Sequence, residues 1–353
     1  MGIVKKPSCK EYWSKSILFG NPGFRELMTI DHFEQIRSYL HFVDEKESNK
    51  KDPFYKIRPM VDHIISSSQK LFSPEQCLTI DESMIRFNGR SGHKVYMPLK
   101  PIRYGFKAYV LTESSSGYVL NWMLHQRGKK QTLQKTIELL TNNLKNKGHQ
   151  ISMDRFYTTL DVVNYLTEIG FRVIGAVMQN RARLPENIIR KSKELERGEA
   201  LFYCSNDNNL LLTIWRDSKL LHLVSNIGNN QMIETQRYCK IKKQDKVAYE
   251  NITLTYPKNV QIYSQNSRGV DHLDQMISYY SPDLRSKKWY TQILLHLIEI
   301  AIHNSFILYT MTKNQKLTYL EFRKSIIKSL LLGMRIKKKF YLHLRKQRFK
   351  KQK

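Results

Sequence analysis

Three aspartates stand where this sequence could do chemistry. Asp81 closes a run in which Leu78 and Ile80 alternate with polar neighbours, the pattern of a short strand delivering a carboxylate at its tip. Asp154 follows the run Gln150 to Met153 in the same way. Asp271 lies on a helical pattern striped by Val270, Leu273, Ile277 and Tyr280, and it shares a face with Asp274 at i and i+3. Carboxylates from separate elements suit hard cations. Phosphodiester cleavage and strand transfer need two such cations about 4 Å apart, one activating the attacking oxygen and one stabilising the leaving oxygen. An aspartate at a strand end is more often a turn or capping residue, so the chemistry depends on elements that bring the three together.

The surrounding pattern supplies such elements. Residues 24–43 and Ile57 to Leu71 read as helices, the first striped by Phe33, Ile36, Leu40 and Val43, and the charged segment DEKESNKKDP between them reads as a linker. After the strand ending at Asp81, Tyr104 to Thr112 and Tyr118 to Leu124 read as strands joined by a Glu-Ser-Ser-Ser-Gly hairpin. A helix over 131–147 stops at Gly148, strand Gln150 to Met153 leads into Asp154, a helix opened by Thr159 or Asp161 runs to Gly170, and Phe171 to Met178 is a further strand. This β-β-β-α-β-α-β order is the RNase H-like arrangement, in which the first and fourth strands lie side by side and make Asp81 and Asp154 neighbours. Residues 184–260 carry short apolar runs between Asn and Asp clusters, a β-rich insertion, and a helix follows Pro257. A long helix runs from Pro282 to Tyr309 and a shorter one opens at Thr318.

Composition narrows the partner. The 59 Lys and Arg against 31 Asp and Glu leave a net charge of +28, which points to a polyanion, nucleic acid before anionic membrane. Ten of these cations crowd residues 335–353, a stretch that reads as a nuclear-import signal or a non-specific phosphate binder. The apolar stretch Trp289 to Met311 contains Gln292, His296, Glu299, His303 and Asn304, so it reads as a buried helix and no membrane partner is expected. The scattered Cys9, Cys77, Cys204 and Cys239 form neither a disulfide framework nor a zinc module, and the first residues lack a signal-peptide run. A reducing, nuclear location is expected.

The block LTIDESMIRFNGRSGHKVYMPLKPIRYGFKAYVLTESSSGYVL around Asp81 resembles the corresponding block of piggyBac transposases and piggyBac transposable element-derived proteins. Similar blocks are ISMDRFYTTLDVVNYLTEIGFRVIGAVMQNRARLP around Asp154, TIWRDSKLLHLVSN, RGVDHLDQMISYYSPDLRSKKWY around Asp271, and HFEQIRSYLHFVD near the start. The resemblance implies an α/β, RNase H-like catalytic domain in two parts, 77–183 and 261–283, around a β-rich insertion at 184–260. It implies a helical dimerisation and DNA-binding region at 1–76 and 284–334, with 335–353 as the basic tail. It further implies a homodimer performing cut-and-paste transposition on double-stranded DNA, at transposon ends and TTAA targets, with Mg²⁺ or Mn²⁺. Asp81, Asp154 and Asp271 fall on the family's catalytic, metal-binding positions for two ions, and Asp274 on an additional acidic position.

Some positions depart from the family. Arg155 replaces a usual Asn after the second aspartate, where its cation could pair with Asp154 and compete with metal, or point at substrate phosphate. Arg268-Gly269 replaces a glycine pair, and the family's cysteine-rich zinc module has no counterpart in this chain. Two readings follow: a metal-dependent transposase, or a domesticated nuclear DNA-binding protein that no longer cuts. Lys94, Lys100, Arg103 and Lys107, with Arg285, Lys287 and Lys288, are placed to hold DNA phosphates. His296, Glu299 and His303 stripe one helix face without the zincin spacing, a polar face before a metal site.

Overall fold

The computed structural model describes residues 1–333 apart from 45–50, 129–130, 182–183, 207–208, 244–245, 283 and 314–316. The expected basic tail and most of the expected linker lie outside the described residues.

Helices α1 (Pro22–Leu27), α2 (Ile30–Tyr39) and α3 (Arg58–Leu71) precede strands β1 (Cys77–Arg86), β2 (Val95–Tyr96), β3 (Tyr104–Glu113) and β4 (Val119–Leu124). Then come α4 (Leu133–Thr141), β5 (Gln150–Met153), α5 (Leu160–Glu168) and β6 (Arg172–Ala176). The segment α6 (Glu186–Glu194), β7 (Ala200–Cys204), β8 (Leu211–Arg216), β9 (Leu220–Ser225), β10 (Met232–Lys243) and β11 (Lys246–Pro257) follows. Helices α7 (Lys258–Asn266), α8 (Gly269–Tyr280) and α9 (Trp289–Lys313) come next, and a last helix occupies 319–333.

The fold is mixed α/β. The main sheet runs β2-β3-β1-β5-β6-β9-β8-β7, with β4 also paired to β3. β1 is antiparallel to β3 and parallel to β5, and β5 is parallel to β6. β1 is buried over most of its length on both faces, as a central strand must be. Its even positions Leu78 and Ile80 join Leu111, Ile137, Val163 and Leu166 under α4 and α5, while Ile85 joins Val110, Val270, Leu273 and Leu297 under α3, α8 and α9. The sheet is therefore covered on both faces. Thr132 and Thr159 start α4 and α5 by accepting from Lys135 N and Val162 N, both at 3.2 Å, caps worth about 1 kcal/mol each.

Four expectations change. The single helix over 24–43 is two, because Met28 is extended and Thr29 caps α2 by accepting from His32 N at 3.2 Å. The helix after Pro257 is likewise split into α7 and α8 around Ser267 and Arg268. β1 continues past Asp81 to Arg86, so the aspartate is not at the strand's end. In the region 184–260, β9 pairs with β6 and carries β7 to β9 into the main sheet, while β10 and β11 form a separate two-stranded ribbon.

Helix α9 is long and apolar enough to cross a membrane by length and composition. Polar groups along it bond to the rest of the protein instead. Asn304 donates to Ser68 Oγ and Val119 O, each at 3.0 Å, and accepts from Val119 N at 2.9 Å, so α9 is the core helix of one sheet face.

Candidate active site

The parallel pairing of β1 and β5 ends at Ile80 opposite Met153, so Asp81 and Asp154 are the next residues of two adjacent strands. β5 stops there and β1 goes on. Past the end of β5, the Glu82 N–H donates to Asp81 Oδ1 at 2.7 Å and the Glu82 carbonyl accepts from Lys100 Nζ at 3.1 Å, partners that take the place of a strand neighbour. Asp154 is held by its own turn, where Phe156 N donates to its Oδ1 and Tyr157 N to its carbonyl at 3.1 Å.

Strand alternation puts Thr79, Asp81 and Ser83 on the face covered by α7 and α8. Thr79 Oγ1 donates to Asn266 O at 2.7 Å, and Ser83 Oγ to Asp274 Oδ1 at 2.6 Å. Asp81 lies between these two ties. Gly269 makes the approach possible, since a Cβ there would stand 2.4 Å from Thr112 Oγ1 and 2.9 Å from both Thr79 Oγ1 and Glu113 O. Where Arg268-Gly269 stands in place of a glycine pair, this chain keeps the glycine that sterics demand.

The carboxylates sense one another. Burial pushes Asp81 up to about 7; Lys100 opposes this, and the charges of Glu82 and Asp154 add to it. Burial likewise pushes Asp274 up to about 6, against the Ser83 bond and Lys100, with Asp271 and Glu82 adding. Burial alone would lower the Lys100 ammonium, but Asp81, Glu82, Asp274 and Asp271 outweigh it and hold the ammonium above its usual value. Tyr263 on α7 is raised by burial first, then by Asp154, Asp81 and Asp271, with Arg155 opposing. Asp81 and Asp154 thus follow the last residues paired between β1 and β5, Asp274 is tied to β1 through Ser83, and Asp271 lies three residues before Asp274 on α8.

Sequence reasoning did not single out Glu82, Ser83 or Tyr263. The signal for Ser83 was the β1 alternation itself, which puts it on the same face as Asp81.

The basic residues divide. Lys100 Nζ lies 4.0 Å from Asp81 Oδ2 and 3.6 Å from Glu82 Oε1. Lys107 is buried, with its ammonium 3.6 Å from Glu82 Oε2 and 4.2 Å from the centre of the Phe156 ring, so it braces the site from inside. Lys94 donates to Gly89 O at 3.1 Å, and Lys288 donates to Ser38 O at 2.6 Å, tying α9's start to α2. Arg103, Arg285 and Lys287 are exposed. Arg155 is exposed and no ion pair joins it to Asp154; its carbonyl accepts from Arg181 at 3.4 Å. His296 packs against Trp122, Glu299 pairs with Arg323, and His303 Nε2 donates to Gly117 O at 3.2 Å, so that polar stripe is structural.

Among the described residues, no three Asp, Glu, His or Cys side chains close around a single point as ligands of one ion. The donor chemistry nonetheless fits a hard cation: the acids are carboxylates, and burial, with a smaller contribution from neighbouring carboxylates, raises Asp81 and Asp274 in a way that a cation would relieve. The cation standing among them is the Lys100 ammonium.

A family profile described as Transposase IS4 matches residues 1–306. PiggyBac transposable element-derived protein 3 of Homo sapiens is 26% identical over 343 residues, covering 92% of this chain and 56% of that protein. PiggyBac transposable element-derived protein 2 of Homo sapiens is 26% identical over 339 residues, again covering 92% and 56%. The chain spans a little over half the length of these relatives. The fold is similar to that of piggyBac transposase in its cryo-EM synaptic complex with hairpin DNA, with a TM-score of 0.75 at 24% identity, over 91% of this chain and 67% of that one.

Proposed function

The chain belongs to the Transposase IS4 family and is of the piggyBac type, and from that premise we propose that it is the core of a DNA transposase acting through Asp81, Asp154 and Asp271. The observation that carries the proposal is that Asp81 and Asp154 each follow directly on Ile80 and Met153, the last paired residues of two parallel neighbouring strands, with α8, the helix of Asp271 and Asp274, tied to β1 through Ser83 and Asp274. The strand order β3-β1-β5-β6, with β1 parallel to β5, supports reading this sheet as RNase H-like. Residues 77–183 and 261–283 then form the catalytic domain, 184–260 its β-rich insertion, and 1–76 with 284–334 the helical dimerisation and DNA-binding region.

Asp81, Asp154 and Asp271 would hold Mg²⁺ or Mn²⁺, with Asp274 in support. Two such ions supply activation of the attacking oxygen and stabilisation of the leaving oxygen. The chain's own groups provide orientation. The Ser83 hydroxyl fixes Asp274, and the Phe156 N–H fixes Asp154. Lys107, under Glu82 and Phe156, stiffens the strand that carries Asp81. The exposed Arg103, Arg285 and Lys287, with Lys94, bind backbone phosphates and so position DNA without reading its sequence.

Double-stranded DNA with a TTAA target is the proposed substrate, a homodimer the proposed assembly and the nucleus the proposed location. The net charge of +28 supports the polyanionic partner. A second reading, a DNA-binding protein that no longer cuts, is favoured by the cationic Arg155 beside Asp154. The two separate in one experiment. A pool of duplexes, each carrying one TTAA between random flanks, is incubated with Mg²⁺, Mn²⁺ or EDTA, and new ends are sequenced. Metal-dependent ends at TTAA support the transposase. Duplex binding that Asp81→Ala leaves unchanged, with no product under any condition, supports the second reading.

A further inference from the structure

Lys100 occupies an unusual position for a lysine expected to lie on open surface. It sits in the loop between β2 and β3, flanked by Pro98 and Pro101, with its backbone fixed by Lys100 N donating to Met97 O at 3.2 Å and Met97 N to Arg103 O at 2.8 Å. From this anchored loop the side chain reaches inward to the gap left where β5 stops. There its ammonium donates to the Glu82 carbonyl at 3.1 Å and stands 3.6 Å from Glu82 Oε1 and 4.0 Å from Asp81 Oδ2. It is half-buried, and the charged groups facing it are Asp81 and Glu82 from β1, Asp271 and Asp274 from α8, and Lys107 from β3.

We propose that Lys100 is the resident counter-cation of the carboxylate site, competing with a divalent cation for it and swinging out when that cation binds. The inference rests on the metal-dependent reading of the site. An ammonium is a point charge carrying three donors, and it neutralises the acids without drawing them into a coordination shell. A lysine ammonium and a divalent ion repel strongly at such separations in a partly buried site, so both cannot occupy it at full strength. The lysine stem is flexible, and the fixed backbone of 97–103 lets the ammonium leave while the loop stays. Lys100 is thus a positioning residue.

The test is Mn²⁺ binding to the full 353-residue chain, read as loss of the free-ion electron paramagnetic resonance signal. Lys100→Met keeps the apolar stem and removes the charge; it is expected to bind Mn²⁺ about tenfold more tightly than wild type. Lys100→Arg keeps the charge and stays near wild type. Lys135→Met, which removes a lysine from the exposed face of α4, leaves affinity unchanged and controls for net charge. Wild-type binding that Lys100→Met leaves equal or weakens overturns this inference while the metal reading stands; binding by neither overturns both. A second readout needs no variant: mass spectrometry of amine methylation should find Lys100 slow to react without metal and faster with Mn²⁺. Equal rates in both conditions overturn the proposal.

Discussion

Ser83 Oγ on β1 donates a 2.6 Å hydrogen bond to Asp274 Oδ1 on α8, tying residues 191 positions apart in the chain. The bond seats α8 beside Asp81 and satisfies a carboxylate that burial pushes up to about 6. Ser83→Ala leaves that carboxylate short of a donor, at a cost of about 1–3 kcal/mol. Thermal unfolding should show a midpoint several degrees lower, largely restored in Ser83→Thr. A midpoint equal to wild type counts against the tie.

Gly269 admits no side chain without movement of β1 or β3, because the first atoms met are Thr112 Oγ1, Thr79 Oγ1 and the backbone oxygen of Glu113. Gly269→Ala should destabilise by about 1–3 kcal/mol through overpacking. Denaturant unfolding gives the value directly, and a neutral substitution would mean that α8 sits further from the sheet.

Glu299 on α9 and Arg323 on the helix over 319–333 form a buried pair, with Arg323 Nη2 donating to Glu299 Oε1 at 2.9 Å and Arg323 Nη1 lying 3.2 Å from Tyr319 Oη. Removing one partner strands the other charge, so Glu299→Gln or Arg323→Met each should cost about 3–5 kcal/mol. The double change Glu299→Leu with Arg323→Met should recover most of that loss. Additive losses in the double variant would contradict a buried, mutually dependent pair.

Burial lowers His296 and His303 to about 4 from an ordinary 6.5. The unfolded chain therefore takes up protons near pH 6.5 that the folded chain refuses until about pH 4. The stability these groups contribute is whole above pH 6.5 and is lost as pH falls from 6.5 towards 4. Between pH 7.5 and 4.5 the raised Asp81 and Asp274 act with the opposite sign, so the histidine contribution is read as a difference between proteins: relative to wild type, His296→Leu with His303→Gln should become progressively more stable as pH falls. Parallel pH profiles for variant and wild type would assign acid sensitivity elsewhere.

Much of the site's placement was legible in the chain. The alternation of Leu78 and Ile80, the run Gln150 to Met153 and the Ser-rich hairpin gave β1, β5 and the β3–β4 turn, and with them the adjacency of Asp81 and Asp154. The break at Met28 left one residue-type signal, Thr29, which could cap a helix start and does cap α2, while nothing in the stripe Phe33, Ile36, Leu40 and Val43 marks a separate helix before it. Helix α6 offers only Ile188 and Ile189 as apolar residues and buries only Ser192, and β10 ends in Lys240, Ile241, Lys242 and Lys243, so neither carries a long apolar run to read. Lys107 reads as a surface cation, yet its burial against Phe156 and Glu82 is a tertiary fact. Lys100 lies in a loop, where no period reports the direction of a side chain.

Strand cleavage is the most direct test of the central proposal. A duplex labelled at both ends and carrying TTAA is incubated with the purified chain and Mn²⁺, and its strands are separated under denaturing conditions, for wild type and Asp154→Ala. Nicked or hairpinned strands with wild type, absent with EDTA and absent with Asp154→Ala, are the predicted result. Duplex bound but intact with wild type, or cut equally by Asp154→Ala, would contradict it.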